Sequence, residues 1–192
     1  MRALEQNAEY VGYWDADLAT PLDAIAEFQY VLAAGRRTEI VVGSRMPLLG
    51  RRIQRHAIRH VLGRSFATVV SRMLGIPIYD TQCGAKLFRV NPVTTALFAE
   101  PFRTGWIFDA EILARYSNLL GCRYEAAGRI FEQPLDTWED VPGSKLKAKH
   151  FVKAALELGR IYRHYLLPYG TRYAVEPTTG SPDVISWSKK AA

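Results

Sequence analysis

The chain has 192 residues, of which 48% are hydrophobic and 23% are charged, a composition typical of one folded domain and not of a disordered chain. No apolar run approaches the roughly eighteen residues of a membrane-spanning helix, and the first residues lack the apolar segment of an export signal. The two cysteines, Cys83 and Cys122, predict neither a zinc site nor a disulfide framework, which favours a reducing, cytosolic setting. The net charge of +6 predicts anionic partners such as phosphates, lipid headgroups or nucleic acid.

The apolar run at residues 10–14 ends in two carboxylates, Asp15 and Asp17. Such a run predicts a strand covered on both faces, as in parallel α/β sheets, whose ligands bind at the carboxyl ends of the strands. Side chains at i and i+2 of an extended chain project to the same side, so the pair predicts a site for a divalent cation and a diphosphate. A solvated turn is the alternative, because an Asp-x-Asp pair also arises by chance in chains of this length.

The other predicted elements follow in chain order. Thr20 and Pro21 predict the N-cap and first turn of a helix that ends near Gly35. Periodicity and turn residues predict strands at 38–43 and 124–134, a loop and strand at 80–89, and helices at 51–74 with a break at Gly63, 91–99, 108–120 and 146–167. Residues 1–8 are predicted to end a helix, and residues 168–192 to form a disordered tail, so the predicted domain covers residues 1–167.

Basic residues surround an apolar stripe in the segment at 51–64, namely Arg51, Arg52, Arg55, His56, Arg59, His60 and Arg64. A basic amphipathic helix can lie on an anionic membrane surface, where each nearby cation contributes about 1 kcal/mol. Nucleic-acid binding is disfavoured, because Phe66 is the one aromatic residue near these cations that could stack on a base. A solvated basic face is the other alternative.

Two shorter motifs place polar residues at predicted helix starts. Asp109 and Glu111 follow Trp106 and Phe108, whose rings would partly bury the two acids near a substrate. Acids in a first helical turn are also favoured by the helix dipole without any function. Residues 143–145, Gly-Ser-Lys, place a hydroxyl and a cation at a helix N-terminus, which suits phosphate but is too short to be specific.

Five motifs occur in a fixed order, namely DADLATP at 15–21, GSR at 43–45, DTQCGAKLF at 80–88, FDAE at 108–111 and PGSKL at 142–146. In this order they resemble the family 2 glycosyltransferases that transfer sugars to polyprenyl phosphate, especially the dolichyl-phosphate β-glucosyltransferases. The resemblance covers residues 3–166, and the segment at 80–84 is its most specific part. It implies an α/β fold of the GT-A type, in which a Rossmann-like sheet is flanked by helices.

The resemblance also assigns roles to residues of the motifs. Asp15 and Asp17 correspond to the DxD motif, which binds Mg²⁺ or Mn²⁺ and the donor diphosphate. Arg45 and Arg59 correspond to basic residues near the acceptor phosphate. Mannosyl relatives often carry a glutamine where this chain has Ala19, which favours the glucosyl branch. The remaining expected contacts are Ser144 and Lys145 with the donor diphosphate, and Gln82, Trp106 and Glu111 in the substrate pocket.

The implied reaction is the inverting transfer of a sugar from a donor such as UDP-glucose to a polyprenyl phosphate on the cytoplasmic membrane face. A divalent cation would stabilise the charge that develops on the departing diphosphate. A phosphomonoester has a second pKa near 6, so at neutral pH it is mostly a dianion and needs no general base. A sugar hydroxyl would need one, and Asp109 is then the candidate.

The start of the chain departs from the family pattern. Family members begin with a strand, an Asn-Glu loop and further βα units that hold the nucleoside, whereas this chain starts close to the run at 10–14. We therefore expect it to lack the N-terminal nucleotide-binding strands, with any anchor lost with them, and to bind nucleotide sugar weakly. An uncovered sheet edge would favour a homo-oligomer. The alternative function is a non-catalytic membrane-surface or scaffold remnant of such an enzyme.

Overall fold

A computed structural model describes residues 7–55, 57–139, 148–167, 173–175 and 187–189. The strands of its main sheet are β1 (Tyr10–Trp14), β2 (Ile40–Ser44), β4 (Ala85–Arg89) and β5 (Ile130–Pro134), in the order β1-β4-β2-β5. Strand β4 is antiparallel to both β1 and β2, whereas β5 is parallel to β2. Two further pairs are β3 (Arg52–Gln54) with β6 (Thr137–Glu139), and β7 (Tyr173–Val175) with β8 (Trp187–Lys189).

The helices are α1 (Ala24–Ala34), α2 (Ala57–Leu74), α3 (Pro92–Leu97), α4 (Phe108–Leu120), α5 (Arg123–Arg129) and α6 (Ala148–Ile161), which continues into a π-helical turn (Tyr162–Leu166). Local sequence explains several of their ends. Asn91 caps α3 by accepting a hydrogen bond of 2.8 Å from the Thr94 backbone N–H, with a proline next in the chain. Gly121 ends α4 with φ of 66°, a left-handed conformation that favours glycine.

The main sheet separates two apolar cores, because alternate residues of each strand face opposite sides. On one face α2 and α4 pack against Ile40, Val42 and Phe88. On the other face Phe28 and Leu32 of α1 pack against Val41, Ala85 and Leu87. This two-sided covering of a sheet by helices confirms the predicted α/β class.

The environment of the first strand differs from the prediction. Strand β1 forms at the predicted residues, but it is an antiparallel edge strand whose residues are half-buried or exposed, so the expectation of a parallel strand covered on both faces was wrong. Tyrosine and tryptophan carry polar atoms on large rings and are tolerated at a half-buried edge. An apolar run therefore does not by itself distinguish a central strand from an edge strand.

Three other element boundaries also differ from the prediction. Residues 52–54 form a strand that pairs with β6, and α2 then runs through Gly63 without the predicted break. Residues 123–129 are helical, so the strand predicted at 124–134 is confirmed only from residue 130. Helix α1 begins at Ala24, because Pro21 and Leu22 form turns whose carbonyls accept the N–H groups of the first helical residues.

Other predictions fall on residues that the structure does not describe. Residues 1–6 and most of 168–192 lie outside the described ranges, so the domain boundary near residue 167 remains a prediction. Within the predicted disordered tail, the six described residues form the paired strands β7 and β8. Within the described ranges, no helix has the length and hydropathy needed to cross a membrane.

Candidate active site

The Asp15 carboxylate lies directly over the backbone of Gly84. The Asp15 N–H donates to the Gly84 carbonyl at 2.8 Å, which places the two residues opposite each other where β1 and β4 meet the loop. A Cβ atom added to Gly84 would lie 1.7 Å from Asp15 Oδ2, closer than any allowed contact. Only glycine at this position leaves space for the carboxylate, which explains the last residue of the DTQCG segment.

A tight turn holds Asp17 beside Asp15. The Leu18 N–H donates to the Asp15 carbonyl at 3.1 Å, and Asp17 Oδ1 accepts from the Ala19 N–H at 3.1 Å. Leu18 has φ of 53°, the left-handed region that glycine prefers, so the turn carries local backbone strain. The turn directs Asp17 to solvent beside the end of β1.

The electrostatics of Asp15 fit a divalent cation. Partial burial raises the pKa of the Asp15 carboxyl, and the neighbouring charges of Asp17 and Asp109 raise it further, while Lys86 and Arg45 oppose this. A cation between Asp15 and Asp17 would relieve that repulsion, and carboxylate oxygens are the ligands that Mg²⁺ and Mn²⁺ prefer. Among the described residues no group of three or more His, Cys, Asp or Glu side chains converges, so diphosphate and water oxygens would complete the coordination shell.

Asp109 belongs to a buried charged cluster beside Asp15. Its Oδ1 accepts from the Tyr13 hydroxyl at 2.6 Å and forms a short ion pair with the Lys86 ammonium, which has no exposed surface. Lys86 also donates to the Cys83 carbonyl at 2.7 Å. Burial and the Asp109 charge raise the pKa of Tyr13 well above its usual value. The cluster joins β1, β4, the loop at 80–84 and α4 behind the Asp15 carboxylate.

Arg45 is held by Asp80 in a two-pronged ion pair. Its Nε donates to Asp80 Oδ2 at 2.6 Å and its Nη2 donates to Asp80 Oδ1 at 2.8 Å. The guanidinium also lies over the Trp138 ring, 5.2 Å from its centre. Glu132 on β5 fixes the loop by accepting from the Asp80 N–H at 2.6 Å. The charge of Arg45 is therefore largely balanced within the protein, and a bound phosphate would share the guanidinium with Asp80.

The Cys83 thiol is structural. A Cβ atom on Gly43 would lie 2.9 Å from Cys83 Sγ, so the small residue at 43 leaves room for the sulfur against β2. Burial raises the pKa of the thiol to about 11, which keeps it protonated and unreactive near neutral pH.

Unpaired polar atoms gather near the same end of the sheet. Within the described part of the chain, the buried hydroxyls of Ser44 and Thr81 have no hydrogen-bond partner, and neither do Gln82 Nε2 and Trp14 Nε1. Buried polar atoms are normally paired with protein or water, so these groups are available to ordered water or a ligand. Gln82 remains a predicted pocket residue, and these unpaired atoms favour that prediction.

The other predicted site residues have different environments. Glu111 is fully buried and accepts from the Thr104 N–H, the Tyr165 hydroxyl and the Arg115 guanidinium, which gives it a structural role and no visible route to a substrate. Trp106 is 38% exposed at the start of α4. Arg59 lies in α2, but its side chain is not described, and Ser144 and Lys145 lie outside the described residues.

The basic segment at 51–64 is not a single helical face. Arg51 pairs with Asp136, Arg55 lies over the Trp138 ring, and Arg64 bonds the Tyr79 carbonyl while its guanidinium lies over the Tyr79 ring. Because β3 occupies residues 52–54, these arginines belong to a strand, a loop and a helix. The helix predicted across this segment is therefore confirmed only from residue 57, and its binding to a membrane surface stays a prediction.

Sequence reasoning missed the partners of the predicted residues. Lys86 and Asp80 belong to the recognised segment at 80–88, yet neither was given a role, and Glu132 and Glu157 were not identified. A lysine between apolar residues of a predicted strand was the available indication for Lys86, because a cation there needs a buried partner. The long separation in sequence concealed the other partners.

Comparison with solved structures identifies the fold. Glucosyl-3-phosphoglycerate synthase from Mycobacterium tuberculosis, in complex with Mn²⁺ and UDP-glucose, matches with a TM-score of 0.58 and 14% identity, over 98% of this chain and 59% of that chain. The same enzyme in complex with phosphoglyceric acid matches with a TM-score of 0.55 and 14% identity, over 88% of this chain and 55% of that chain. The sheet and its helices thus define a GT-A-type glycosyltransferase fold.

Comparison with curated proteins narrows the class. The chain is 34% identical over 158 residues to the dolichyl-phosphate beta-glucosyltransferase of Saccharomyces cerevisiae, covering 79% of this chain and 44% of that protein. It is 30% identical over 162 residues to one of Trichomonas vaginalis, covering 82% and 45%. The resemblance to dolichyl-phosphate β-glucosyltransferases is confirmed, and the chain spans less than half the length of these relatives. No protein-family model matches.

Proposed function

We propose that this chain carries the cation and acceptor half of an inverting glycosyltransferase that moves glucose from a nucleotide sugar to a polyprenyl phosphate. The observation that carries the proposal is the Asp15 carboxylate, which is fixed over Gly84, interacts with Asp17 and faces the positive charges of Lys86 and Arg45. The similarity to dolichyl-phosphate beta-glucosyltransferases supports the substrate class. The acceptor places the protein peripherally at the cytoplasmic face of a membrane.

In the proposed mechanism Asp15 and Asp17 bind Mg²⁺ or Mn²⁺ together with the donor diphosphate. The bound cation supplies Lewis-acid stabilisation of the leaving diphosphate. Arg45 and Arg59 orient the acceptor phosphate. The ion pair with Asp80 holds the Arg45 guanidinium in one orientation. Ser144 and Lys145 contact the donor diphosphate, and Gln82 and Trp106 contact the sugar. A phosphate dianion attacks in line, so no residue needs to remove a proton.

The acceptor class is tested by comparing two acceptors with the same labelled UDP-glucose. We expect transfer to a polyprenyl phosphate and none to the corresponding polyprenol, because the alcohol would need a general base and Asp109 is occupied by Lys86 and Tyr13. The measurement is lipid-extractable label, with Asp15→Asn as the inactive control. Equal transfer to the polyprenol would contradict the proposal.

The non-catalytic scaffold is the second candidate function, because the chain spans less than half the length of its curated relatives. It predicts no transfer to any acceptor, with membrane binding retained. Turnover that is lost in Asp15→Asn would exclude the scaffold. Absence of turnover, with vesicle binding intact, would favour it.

A further inference from the structure

Helix α6 exposes apolar side chains on its outer face. Val152 is 63% exposed and Leu156 is 64% exposed, whereas Ala154, Glu157 and Ile161 on the opposite face are buried. Val152 and Leu156 are one turn apart, so they lie on one stripe of the helix. After α6, the π-helical turn exposes 48% of Tyr162. Exposed apolar residues at helical spacing indicate a surface that contacts something apolar.

A basic pocket adjoins this stripe. An open cavity of about 410 Å³ is lined by Arg103, Arg160, Arg163 and His164, and no acidic side chain is among its described lining residues. Arg160 follows Leu156 by one turn, so the pocket and the stripe are adjacent on the same outer side. Burial lowers the pKa of His164, and the neighbouring Arg103 charge lowers it further. Such a pocket suits a phosphate group.

We propose that the outer face of α6 and its basic pocket form a docking surface for an anionic lipid bilayer. Val152 and Leu156 enter the boundary between headgroups and acyl chains, and Arg160 and Arg163 bind lipid phosphates. Helices with an apolar stripe flanked by cations bind in this way. The inference deepens the proposed function, on which it rests for the location of the acceptor, but lipid binding is measurable without any transfer.

Charge complementarity favours a bilayer over a second copy of the chain. A symmetric dimer through this face would bring two basic pockets close together, since a two-fold interface places the same patch on both subunits. Like charges across an interface are unfavourable. An anionic surface instead neutralises Arg103, Arg160 and Arg163 together.

Hydrogen bonds connect the docking surface to the candidate active site. Glu157 on the inner face of α6 accepts from the N–H groups of Gly105, Trp106 and Ile107 at 3.2 to 3.3 Å. These residues lead into α4, whose second residue is Asp109. The surface is thus fixed directly to the helix behind Asp15, and docking would hold that helix in one orientation to the membrane.

The test is co-sedimentation of the 192-residue chain with vesicles of phosphatidylcholine, with and without phosphatidylserine. We expect binding to the anionic vesicles, weakened about 25-fold in Arg160→Gln/Arg163→Gln because each cation contributes about fivefold. Val152→Ser/Leu156→Ser should also weaken it several-fold. The matched control Arg36→Gln/Arg72→Gln removes the same charge from exposed positions elsewhere and should change binding less than threefold.

Five results would overturn the proposal, four from binding and association assays and one from competition with phosphate. The first two are equal binding to neutral vesicles and wild-type binding by the Arg160→Gln/Arg163→Gln variant. The third is a loss of vesicle binding in Arg51→Gln/Arg52→Gln instead. The fourth is a dimer that the Val152→Ser/Leu156→Ser change converts to a monomer. The fifth is complete competition of vesicle binding by inorganic phosphate, together with normal vesicle binding by the Val152→Ser/Leu156→Ser variant. That combination would make the pocket a site for free phosphate. Vesicle binding without any glucosyl transfer would leave the docking surface intact and would count against the proposed function instead.

Discussion

The position of the Asp15 carboxylate depends on one glycine. The carboxylate occupies the space that a side chain at 84 would fill, and it is crowded by the charges of Asp17 and Asp109. We therefore expect the residue type at 84 to affect cation binding even though that residue would not contact the cation. A side chain added at position 84 would displace only the Asp15 carboxylate, which can rotate about its own bonds. We therefore expect a substitution at 84 to change cation binding without preventing folding.

We expect Gly84→Ala to fold but to lose cation binding. The added methyl group would lie 1.7 Å from Asp15 Oδ2, so the carboxylate must rotate away from Asp17. Loss of a convergent ligand should weaken the binding of Mn²⁺ itself by about tenfold or more, measured by electron paramagnetic resonance of the free ion. Gly128→Ala, in an exposed helical position with no atom within 4 Å, is the matched control and should bind as wild type. Unchanged binding in Gly84→Ala would contradict the assignment of Asp15.

The Lys86–Asp109 pair predicts a strongly coupled double-mutant cycle. Lys86→Met leaves Asp109 buried without its cation, and Asp109→Leu leaves the ammonium unpaired, so each single change should cost about 3–5 kcal/mol of unfolding free energy. The double variant removes both charges and should be much more stable than the sum of the single losses predicts. Urea unfolding measures all four proteins. Additive losses would mean that the pair does not form.

The candidate residues could be identified from the sequence only where chemistry and spacing coincide. Asp15, Asp17 and Asp109 follow recognisable apolar segments, so their positions were predictable. The contacts of Asp109 were not, because Lys86 and Tyr13 are 23 and 96 residues away in the chain. Because Asp109 is buried beside Lys86, any substitution of Asp109 would alter the stability of the protein as well as its chemistry.

At the scale of elements, the loop at 80–84 is held by charged side chains on β5 and on the residue that follows β2. Asp80 accepts from Arg45, and Glu132 accepts from the N–H groups of Tyr79 and Asp80. Periodicity predicted helix α4 at its observed bounds, since its apolar pattern, first-turn acids and terminal glycine agree. It did not predict α5 or β3, which are short and whose state is decided by tertiary pairing with their neighbours.

The Arg45–Asp80 pair predicts an acid-sensitive contribution to stability. Burial would raise the pKa of Asp80, but Arg45 outweighs it and holds that pKa below its usual value. The unfolded chain then binds more protons than the folded one, so this stabilisation is complete above about pH 4 and is lost as pH falls through the folded pKa. We expect Asp80→Asn to be less stable at pH 7 and to lose less stability below pH 4 than wild type. The measurement is the free energy of unfolding of both proteins from pH 7 to below pH 4. An equal loss in the two proteins over this range would contradict the pair.

At the scale of the whole molecule, β1 has no neighbour on its outer side among the described strands, and an edge of this kind predicts self-association. The Asp15 N–H donates its hydrogen bond on the side of β1 that faces β4. Along an antiparallel strand the backbone N–H groups point alternately to the two sides, so those of Tyr10, Gly12 and Trp14 face the outer edge. We expect concentration-dependent association in sedimentation equilibrium. Tyr10→Pro removes one outward N–H without breaking the ladder to β4 and should reduce association. A monomer at all concentrations would count against an exposed pairing edge.

The isolated chain is expected to bind UDP weakly even with Mn²⁺. It spans less than half the length of its curated relatives, and the described residues offer the cation two carboxylates and no third acidic ligand. We therefore expect a dissociation constant above about 1 mM by calorimetry, equivalent to less than about 4 kcal/mol of binding free energy. Asp15→Asn/Asp17→Asn should abolish the residual heat. A micromolar constant would mean that these 192 residues form a complete donor site, because affinity of that order needs contacts to the nucleoside as well as to the diphosphate.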